Sequence, residues 1–388
     1  MTEPGLLPVR DGFVTVGARQ VRYRTAGDGP PVVLIHPSPT SSRVLDLQTG
    51  AYGAAGFRAV AVDIPGLGQS DKLALPEPEI ADQAAALAET LDALGIEQTA
   101  LYGSHTGALI ATHFARHWPE RATVTLTEGY PIYTPGERAR RLATYFPSFA
   151  PSWDGGHLLW LWYRYREQSL FWPWNIAAKV TRAACDVPSP AALHTGMLDL
   201  LEVGNEYRKV YAAAFRYRSE EPIAGMQVPL YFLAYENDSL YQALKLLPPV
   251  PKCCKIEKMP RERSAGLARE IALLRAHNDA PPAPALPETR DLPLGLTRRI
   301  VSVTGGQVMV RQGGAGAGRP LVVLPPIPGS SKEMLPLLER LARSRRVVAI
   351  DAPGAGDSTA LAGPFRIEAI AQALIEALDA LGLQQVDL

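Results

Sequence analysis

The sequence predicts an α/β fold built on a doubly wound, mostly parallel sheet, because apolar strands and amphipathic helices alternate along it. Residues 31–35 are continuously apolar, which is typical of a central parallel strand covered on both faces. Leucines and alanines recur at helical spacing from about Ile80 to Leu94, and Gly95 follows them, which predicts a helix with a defined end. A strand, a Gly-x-x-x-Gly turn and a second helix are then predicted over residues 99–118.

Shorter elements flank this centre. Two strands with alternating apolar and polar side chains are predicted at residues 13–16 and 21–24, around a turn. Further strands are predicted at residues 59–62, 228–233 and 253–258, and a helix is predicted to end at about His277. The order of strands and helices fits a sheet with helices on both faces.

The composition argues against several classes of function. Lys plus Arg and Asp plus Glu both number 39, so no charge excess favours a nucleic acid or an anionic membrane as partner. No apolar run approaches the roughly 20 residues that span a bilayer, and the N-terminus lacks the basic and apolar segments of an export signal. Three cysteines form no disulfide framework, which favours a cytoplasmic protein. No further ligands stand at metal-binding spacing, so we expect neither a metal nor another cofactor.

Residues 131–225 differ from the rest by their aromatic content, and they hold five of the six tryptophans. We interpret this segment as a helical cap inserted into the α/β pattern, above the Gly-x-x-x-Gly turn. The aromatic side chains form the core of the cap, or line an apolar chamber for a small substrate, or do both. Trp153 and Trp160 are the candidates for lining such a chamber.

The first domain is therefore predicted over residues 1–278. Residues 279–295 contain five prolines and predict a semi-extended linker. The remaining segment, 296–388, repeats the first domain in three stretches: 321–331 matches 32–42, 347–358 matches 60–70, and 374–382 matches 87–95.

By this alignment, Leu388 corresponds to Leu101, two residues before the first glycine of the turn. We therefore expect 296–388 to be the N-terminal part of a second module, truncated before its own turn, and the chain to be a fragment of a longer tandem protein. Half a parallel sheet would otherwise leave an unpaired strand edge.

Four motifs, in this order along residues 10–278, resemble the α/β-hydrolase family. They are His36-Pro37-Ser38-Pro39, Asp63-x-x-Gly66-x-Gly68-x-Ser70-Asp71, Gly103-Ser104-His105-Thr106-Gly107 and Glu236-Asn237-Asp238. The His-Thr-Gly at the turn, together with Asp154-Gly155-Gly156-His157-Leu158, resembles a bacterial subgroup of that family. The resemblance implies a strand–turn–helix nucleophile elbow, and a nucleophile, an acid and a base in chain order.

Three positions depart from the family pattern. His105 stands where the nucleophile is expected, and Pro37 replaces the usual glycine of the oxyanion loop. The catalytic histidine expected just after Met259-Pro260 is absent, and residues 261–264 are Arg-Glu-Arg-Ser. Asp238 fits the acid position but has no imidazole to orient, so an ion pair with Arg261 or Arg263 is an equal alternative.

The remaining parts of a hydrolytic site are nevertheless present. The backbone N–H groups of Ser38 and Thr106 are placed to form an oxyanion hole. The positive end of the helix that begins after His105 disfavours imidazolium, so we expect a neutral ring suited to act as base or nucleophile. Ser104 is a weaker candidate nucleophile, because strand alternation points it away from the tip of the turn.

Two further histidines are candidates for the site. His157 in the cap is expected either to face His105 as a second imidazole or to lie at the surface. His36 is expected to orient the oxyanion loop rather than to take part in chemistry.

The sequence favours a hydrolase of a small apolar ester, lactone or related acyl compound that uses His105. The alternative is a catalytically silent module that binds an apolar ligand or partner. A third possibility places the chemistry in the second module. The oligomeric state is left open.

Overall fold

The computed structural model of the protein describes residues 5–183, 185–316, 318–364 and 366–388. The first four residues of the predicted first domain, Ala184 of the predicted cap, and Ala317 and Phe365 of the predicted second module lie outside the described residues.

The chain forms two compact units. The first contains Met1–Val9 and Tyr23–Leu286, and the second contains Arg10–Arg22 and Pro287–Leu388. The second unit includes residues 10–22 because they bond its later part; for example, the Gln20 amide donates to the Arg298 carbonyl at 2.9 Å and accepts from the Arg298 N–H at 2.8 Å.

An eight-stranded sheet carries the candidate site, with strand order β1-β2-β4-β3-β5-β6-β7-β8. Its strands are β1 (Arg10–Val16), β2 (Arg19–Ala26), β3 (Pro31–Ile35), β4 (Arg58–Val62), β5 (Thr99–Ser104), β6 (Ala122–Glu128), β7 (Leu230–Ala234) and β8 (Cys254–Lys258). β2 pairs with β4 antiparallel, whereas β4, β3, β5, β6, β7 and β8 pair parallel. This confirms the prediction of an α/β fold with a mostly parallel sheet.

Nine α-helices accompany this sheet within the described part of the first unit. They are α1 (Asp46–Ala54), α2 (Ile80–Leu94), α3 (Thr106–His117), α4 (Pro135–Thr144), α5 (Gly156–Leu170), α6 (Pro190–Val203), α7 (Tyr207–Arg216), α8 (Glu221–Ala224) and α9 (Arg263–His277). Helix α2 has the predicted bounds because local signals fix both ends. Glu79 and Asp82 form a capping box at its start, and Gly95 ends it in the left-handed conformation with φ of +71°.

The segment between β6 and β7 contains α4 to α8 and has an aromatic core. The ring of Tyr145 is fully buried and contacts five other aromatic rings at centroid distances of 5.2–6.0 Å. Those rings belong to Phe146, Trp172, Trp174, Tyr211 and Phe215. Much of the aromatic content of the segment therefore packs against itself, as one of the two interpretations of the sequence expected.

The second unit has its own four-stranded sheet, with order β11-β12-β10-β9. Its later elements are β9 (Thr297–Val303), β10 (Gly306–Gly313), β11 (Leu321–Val323), α10 (Leu335–Ala342), β12 (Val347–Ile350) and α11 (Ile367–Ala380). This strand order is the same as the order β3-β4-β2-β1 in the first sheet.

The likeness between the two sheets extends to register. Leu321 pairs in parallel with Asp387, and the matching position Val32 pairs in parallel with Ala100. The turn after β12 also has the geometry of the turn after β4. The Ser358 hydroxyl donates to the Asp351 carbonyl at 2.8 Å, and the Ser70 hydroxyl donates to the Asp63 carbonyl at 2.9 Å.

No helix among the described residues combines the length and the apolar character that crossing a bilayer requires.

Candidate active site

His105 lies at the tip of a tight turn between β5 and α3, and its backbone is strained. Its φ and ψ are +49° and −108°, and it is the one residue other than glycine with positive φ among those the structure describes. Strain of this kind costs of order 1–3 kcal/mol and is concentrated at functional sites. The flanking glycines allow the turn, because a Cβ at Gly103 would overlap the Gly107 carbonyl and a Cβ at Gly107 would overlap the Ile35 carbonyl.

The imidazole of His105 bonds directly to the carboxylate of Asp238. His105 Nε2 lies 2.9 Å from Asp238 Oδ2, and the side chains are 27% and 11% exposed. Asp238 follows β7, and its Oδ1 accepts a hydrogen bond from the Leu240 N–H at 2.6 Å. A Cβ at Gly129, which follows β6, would overlap the His105 ring, so this glycine leaves room for the pair.

This pairing corrects the expectation that Asp238 has no imidazole to orient. It also corrects the alternative in which Asp238 pairs with Arg261 or Arg263, because the carboxylate is bound to His105. The physical reason is topological: in a parallel sheet, the loops after β5 and β7 emerge at the same edge, with only β6 between them.

The direction of the pKa shift of His105 also differs from the expectation. Burial lowers the pKa of His105, but the Asp238 carboxylate, its hydrogen bond and the charge of Glu128 outweigh burial and raise the pKa above its ordinary value. Burial raises the pKa of Asp238, but His105 and the Leu240 N–H more than offset this and lower it. The helix dipole alone predicts a lowered pKa for His105, and a carboxylate in contact outweighs the partial charge of a helix end.

The second ring nitrogen of His105 remains available. Within the described residues, Nδ1 makes no hydrogen bond. When Nε2 carries the proton that it donates to Asp238, Nδ1 carries a lone pair. The dyad can therefore accept a proton or attack a carbonyl carbon through Nδ1.

The two backbone donors predicted for an oxyanion hole lie on segments that the fold brings together. Thr106 is the first residue of α3, so its N–H has no partner within the helix. The start of α3 packs against the end of β3, as the closeness of Gly107 to the Ile35 carbonyl shows. Ser38 lies in the loop that leaves β3 there and is buried.

His36 holds the start of this loop. It is fully buried, its Nδ1 donates to the Pro37 carbonyl at 2.8 Å, and its Nε2 accepts from the Ile64 N–H at 3.0 Å. Burial lowers its pKa, so the ring is neutral, and these two bonds fix its tautomer. This geometry fits the predicted orienting role.

Other predicted site residues lie elsewhere. Ser104 is the buried last residue of β5. His157 is the second residue of α5, and its Nδ1 accepts a hydrogen bond from the Ser152 N–H at 3.0 Å rather than contacting His105. Trp153 is fully exposed, so its expected place in an enclosed chamber is wrong in this structure. Trp160 stacks on Phe149 at 5.8 Å between ring centroids.

Arg263 stands in the segment where the family's catalytic histidine was expected, and it joins a buried acidic network. Its guanidinium lies 3.4 Å from Glu270 and 3.8 Å from Glu128. Glu270 is fully buried and accepts hydrogen bonds from the hydroxyls of Tyr235 at 2.6 Å and Tyr52 at 2.7 Å. Burial raises the pKa of Glu270 to about 7.

The sequence interpretation missed Glu128 and Asp199. Glu128 ends β6; its carbonyl accepts from the His105 N–H at 2.9 Å, and its side chain accepts from the Tyr102 hydroxyl. Asp199 of α6 bonds to Ser41, in the loop after β3. A signal for Glu128 was available, because an acidic residue before a glycine at the end of a parallel strand lies at the edge where sites form.

Comparison with known proteins gives the class. A sequence profile described as the alpha/beta hydrolase fold matches residues 30–157 and 319–388, together about half of the chain. The protein belongs to the alpha/beta hydrolase fold family.

Its relatives include named hydrolases. The chain is 33% identical over 104 residues to a 2-hydroxy-6-oxo-6-phenylhexa-2,4-dienoate hydrolase of Comamonas testosteroni, covering 26% of this chain and 36% of that protein. It is 32% identical over 134 residues to a bifunctional epoxide hydrolase 2 of Mus musculus, covering 33% of this chain and 23% of that protein. Each match spans less than half of the relative's length.

Solved structures resemble the fold. An epoxide hydrolase mutant of Vigna radiata superposes with a TM-score of 0.52 at 18% identity, over 69% of this chain and 98% of that one. A bacterial membrane phospholipase A superposes with a TM-score of 0.53 at 17% identity, over 68% of this chain and 86% of that one.

Proposed function

We propose that this protein hydrolyses a small, largely apolar ester, lactone or related acyl compound through the His105–Asp238 dyad. The observation that carries the proposal is the imidazole at the strained turn, held 2.9 Å from a largely buried carboxylate. A strained backbone and a perturbed histidine pKa are both concentrated at functional sites, and here they coincide at one residue.

In the proposed reaction, His105 Nδ1 takes a proton from water as the water oxygen attacks the acyl carbon. The carbonyl oxygen becomes an oxyanion, which the N–H groups of Ser38 and Thr106 stabilise. The imidazolium, stabilised by Asp238, then returns the proton to the leaving alkoxide as the acyl–oxygen bond breaks, which gives a carboxylic acid and an alcohol.

A covalent variant uses the same atoms. Nδ1 attacks the acyl carbon and the acyl–oxygen bond breaks, which gives an acyl-imidazolium and an alkoxide. The alkoxide takes a proton from water, and the hydroxide left behind attacks the acyl carbon. The carbon–Nδ1 bond then breaks, which releases the carboxylic acid and restores the neutral ring. Accumulation of an acyl-enzyme in rapid mixing experiments distinguishes the two routes.

Aromatic side chains of the cap support the proposal that the substrate is apolar. Tyr133, which follows β6, stacks on Phe215 at 5.0 Å between centroids. Burial raises the pKa of its hydroxyl, and the charge of Asp238 adds to this, so the aromatic core of the cap extends to within electrostatic range of the dyad. The Comamonas testosteroni relative is named for a phenyl-bearing substrate, which also supports an apolar acyl compound here.

The test is a panel of short nitrophenyl esters with the wild type and His105→Ala. We expect His105→Ala to lower kcat/KM by about 100-fold, the usual contribution of general base catalysis. Ser104→Ala is the matched control and should retain most of the activity. Equal rates for the wild type and His105→Ala would end the proposal.

A binding module without catalysis is the second candidate, and the segment after β8 favours it. Arg263 occupies the region of the expected catalytic histidine and is committed to Glu128 and Glu270. This candidate predicts saturable binding of an apolar ester in calorimetry without turnover, and unchanged affinity in His105→Ser.

We also infer that the second unit is a partial repeat of the same fold. Its strand order, the pairing of Leu321 with Asp387 and the profile match over residues 319–388 support this.

A further inference from the structure

One carboxylate of the cap, that of Asp199 in helix α6, forms hydrogen bonds with the loop after β3. Asp199 Oδ2 accepts hydrogen bonds from the Ser41 N–H at 3.1 Å and from the Ser41 hydroxyl at 3.0 Å. Both residues are only 6% exposed, so the contact is buried between the cap and the loop. Within α6, Asp199 shares the buried face with Leu193, Gly196 and Leu200.

The next residue of the loop is held by the body of the domain. The Ser42 N–H donates to Asp63 Oδ1 at 2.7 Å, and Asp63 follows β4. Ser41 caps a short helical turn, Ser42–Leu45, whose first N–H groups have no partners within the turn. Two consecutive N–H groups are therefore satisfied by two carboxylates, one from the cap and one from the body.

This anchoring point is close to the proposed oxyanion donor. Ser41 comes three residues after Ser38, and the Pro37 carbonyl between His36 and Ser38 accepts from the Thr40 N–H at 3.3 Å and from its hydroxyl at 2.7 Å. The loop is thus a short, internally bonded turn. A displacement of Ser41 is transmitted to Ser38 because few free torsions lie between them.

We propose that Asp199 is a positioning residue that couples the seating of the cap to the shape of the oxyanion loop. With α6 seated, its carboxylate fixes Ser41 and so places the Ser38 N–H. When α6 moves away from the loop, Ser41 loses its hydrogen bonds to Asp199. The catalytic part of the inference rests on the function proposed above, whereas the coupling between α6 and the loop is measured independently of activity.

The charges around Asp199 make the coupling dependent on pH. Burial raises the pKa of Asp199 to about 6; Arg43 and the Ser41 hydrogen bonds oppose this, and Asp63 adds to it. From α5, Tyr165 faces Asp199, and its pKa is raised to about 12, so it stays protonated. Because burial raises this pKa, the seated carboxyl takes up a proton more readily than one exposed by lifting of α6. The seating of α6 on the loop is therefore favoured further as the pH falls through about 6.

Hydrogen exchange tests the coupling. We expect Asp199→Ala to speed exchange in residues 38–45 by about tenfold while the central sheet keeps its protection. After correction for intrinsic rates, the wild-type loop should gain protection between pH 7 and pH 5, whereas the variant should show no such change. The exposed cap residue Asp186 provides the control Asp186→Asn, which should exchange like the wild type.

Two exchange results would overturn the coupling: a loop in folded Asp199→Ala that is as protected as in the wild type, or a loop and sheet that lose protection together. Should Asp199→Ala fail to fold, Ser41→Ala removes only the hydroxyl bond. A smaller increase, about threefold and confined to the loop, supports the proposal, and an unchanged loop contradicts it.

Kinetics tests the catalytic part. We expect Asp199→Ala to lower kcat on the ester panel by about tenfold with little change in KM, because the lost contact acts on the oxyanion donor. A wild type without turnover refutes the proposed function and leaves the exchange result standing. A wild type with turnover and an equally fast Asp199→Ala, with its loop loosened, refutes the positioning role alone.

Discussion

The loops after β3 and β11 are two forms of one turn, and they differ in what is added to it. In the first unit, the Ser42 N–H donates to Asp63 Oδ1 at 2.7 Å, and in the second the Ser331 N–H donates to Asp351 Oδ1 at 2.6 Å. The shared part satisfies backbone groups near the carboxyl ends of two neighbouring parallel strands. It therefore belongs to the scaffold and carries no chemistry by itself.

The differences concern the groups that would act on a substrate. In the first unit, Asp199 holds Ser41, and the loop lies against the start of α3, next to His105. In the described part of the second unit, no side chain accepts a hydrogen bond from the matching Ser330 N–H. The bonded turn is therefore common to both units. In the first unit, a carboxylate of the cap and the residue at the tip of the turn after β5 are added to it, and together they form the candidate site.

The largest expected difference between the units is in catalysis. Asp238→Asn removes the charge that raises the pKa of His105, and we expect kcat/KM to fall by about 100-fold. Because the base form of His105 is the active one, the rate rises as the pH passes upward through its pKa. Without the Asp238 charge, that pKa falls and the rising limb of the pH–rate profile moves to lower pH.

The control for this prediction is Glu236→Gln, which changes an exposed carboxylate two residues away. It should leave both the rate and the profile unchanged. A rising limb at the same pH in Asp238→Asn and the wild type would show that the dyad does not set the activity.

The next largest expected difference between the two units is in how much the matching aspartates, Asp63 and Asp351, contribute to the free energy of unfolding. Asp63 accepts from two backbone N–H groups, Ser42 at 2.7 Å and Gln69 at 2.8 Å, whereas Oδ2 of Asp351 has no partner among the described residues. We expect Asp63→Ala to lower the free energy of unfolding by about 3 kcal/mol and Asp351→Ala by about 1.5 kcal/mol.

Urea denaturation can measure the two losses in the free energy of unfolding separately. All six tryptophans lie between residues 118 and 174, so their fluorescence reports the first unit, whereas circular dichroism reports both. Equal losses of stability for the two variants would contradict the comparison.

The smallest effect concerns two glycines with positive φ, Gly129 at +61° and Gly305 at +83°. Gly305→Ala should cost about 1 kcal/mol from the backbone alone, because a Cβ there meets only Leu361 Cδ2 at 3.6 Å. Gly129→Ala should cost about 2 kcal/mol and also reduce ester hydrolysis, because its Cβ overlaps the His105 ring. Thermal unfolding and the ester panel check both, and full activity in Gly129→Ala would show that the pair tolerates displacement.

Local signals in the sequence predicted much of the fold. The bounds of β3 and α2 agree to the residue, because a continuous apolar run and a helix-ending glycine are encoded next to the elements that they define. The tight turn between β5 and α3 was also predicted, because its two glycines stand four residues apart and a Cβ at Gly103 would overlap Gly107 within the same turn. The fold class needed only such short-range patterns.

The site depended on contacts that the sequence does not display. His105 and Asp238 are 133 residues apart. Because a separate catalytic histidine was expected after β8, the direct hydrogen bond between these two residues was not predicted. The pKa shift of His105 was predicted from the helix dipole, whereas a carboxylate in contact decides its direction. Asp199 did leave a signal, because it falls on the same helical face as Leu193, Gly196 and Leu200, where a carboxylate needs a partner.

Placing the imidazole on the elbow reduces the number of parts that must be aligned. The family pattern implies a nucleophile, an acid and a base on three separate loops, whereas in the proposed site one turn would supply both the reactive ring and one oxyanion donor, and a second loop the carboxylate. In that proposal the segment after β8 has no catalytic role, and its Arg263 contacts Glu128 and Glu270 instead. Changes in that loop should therefore alter the durability of the fold before they alter its chemistry.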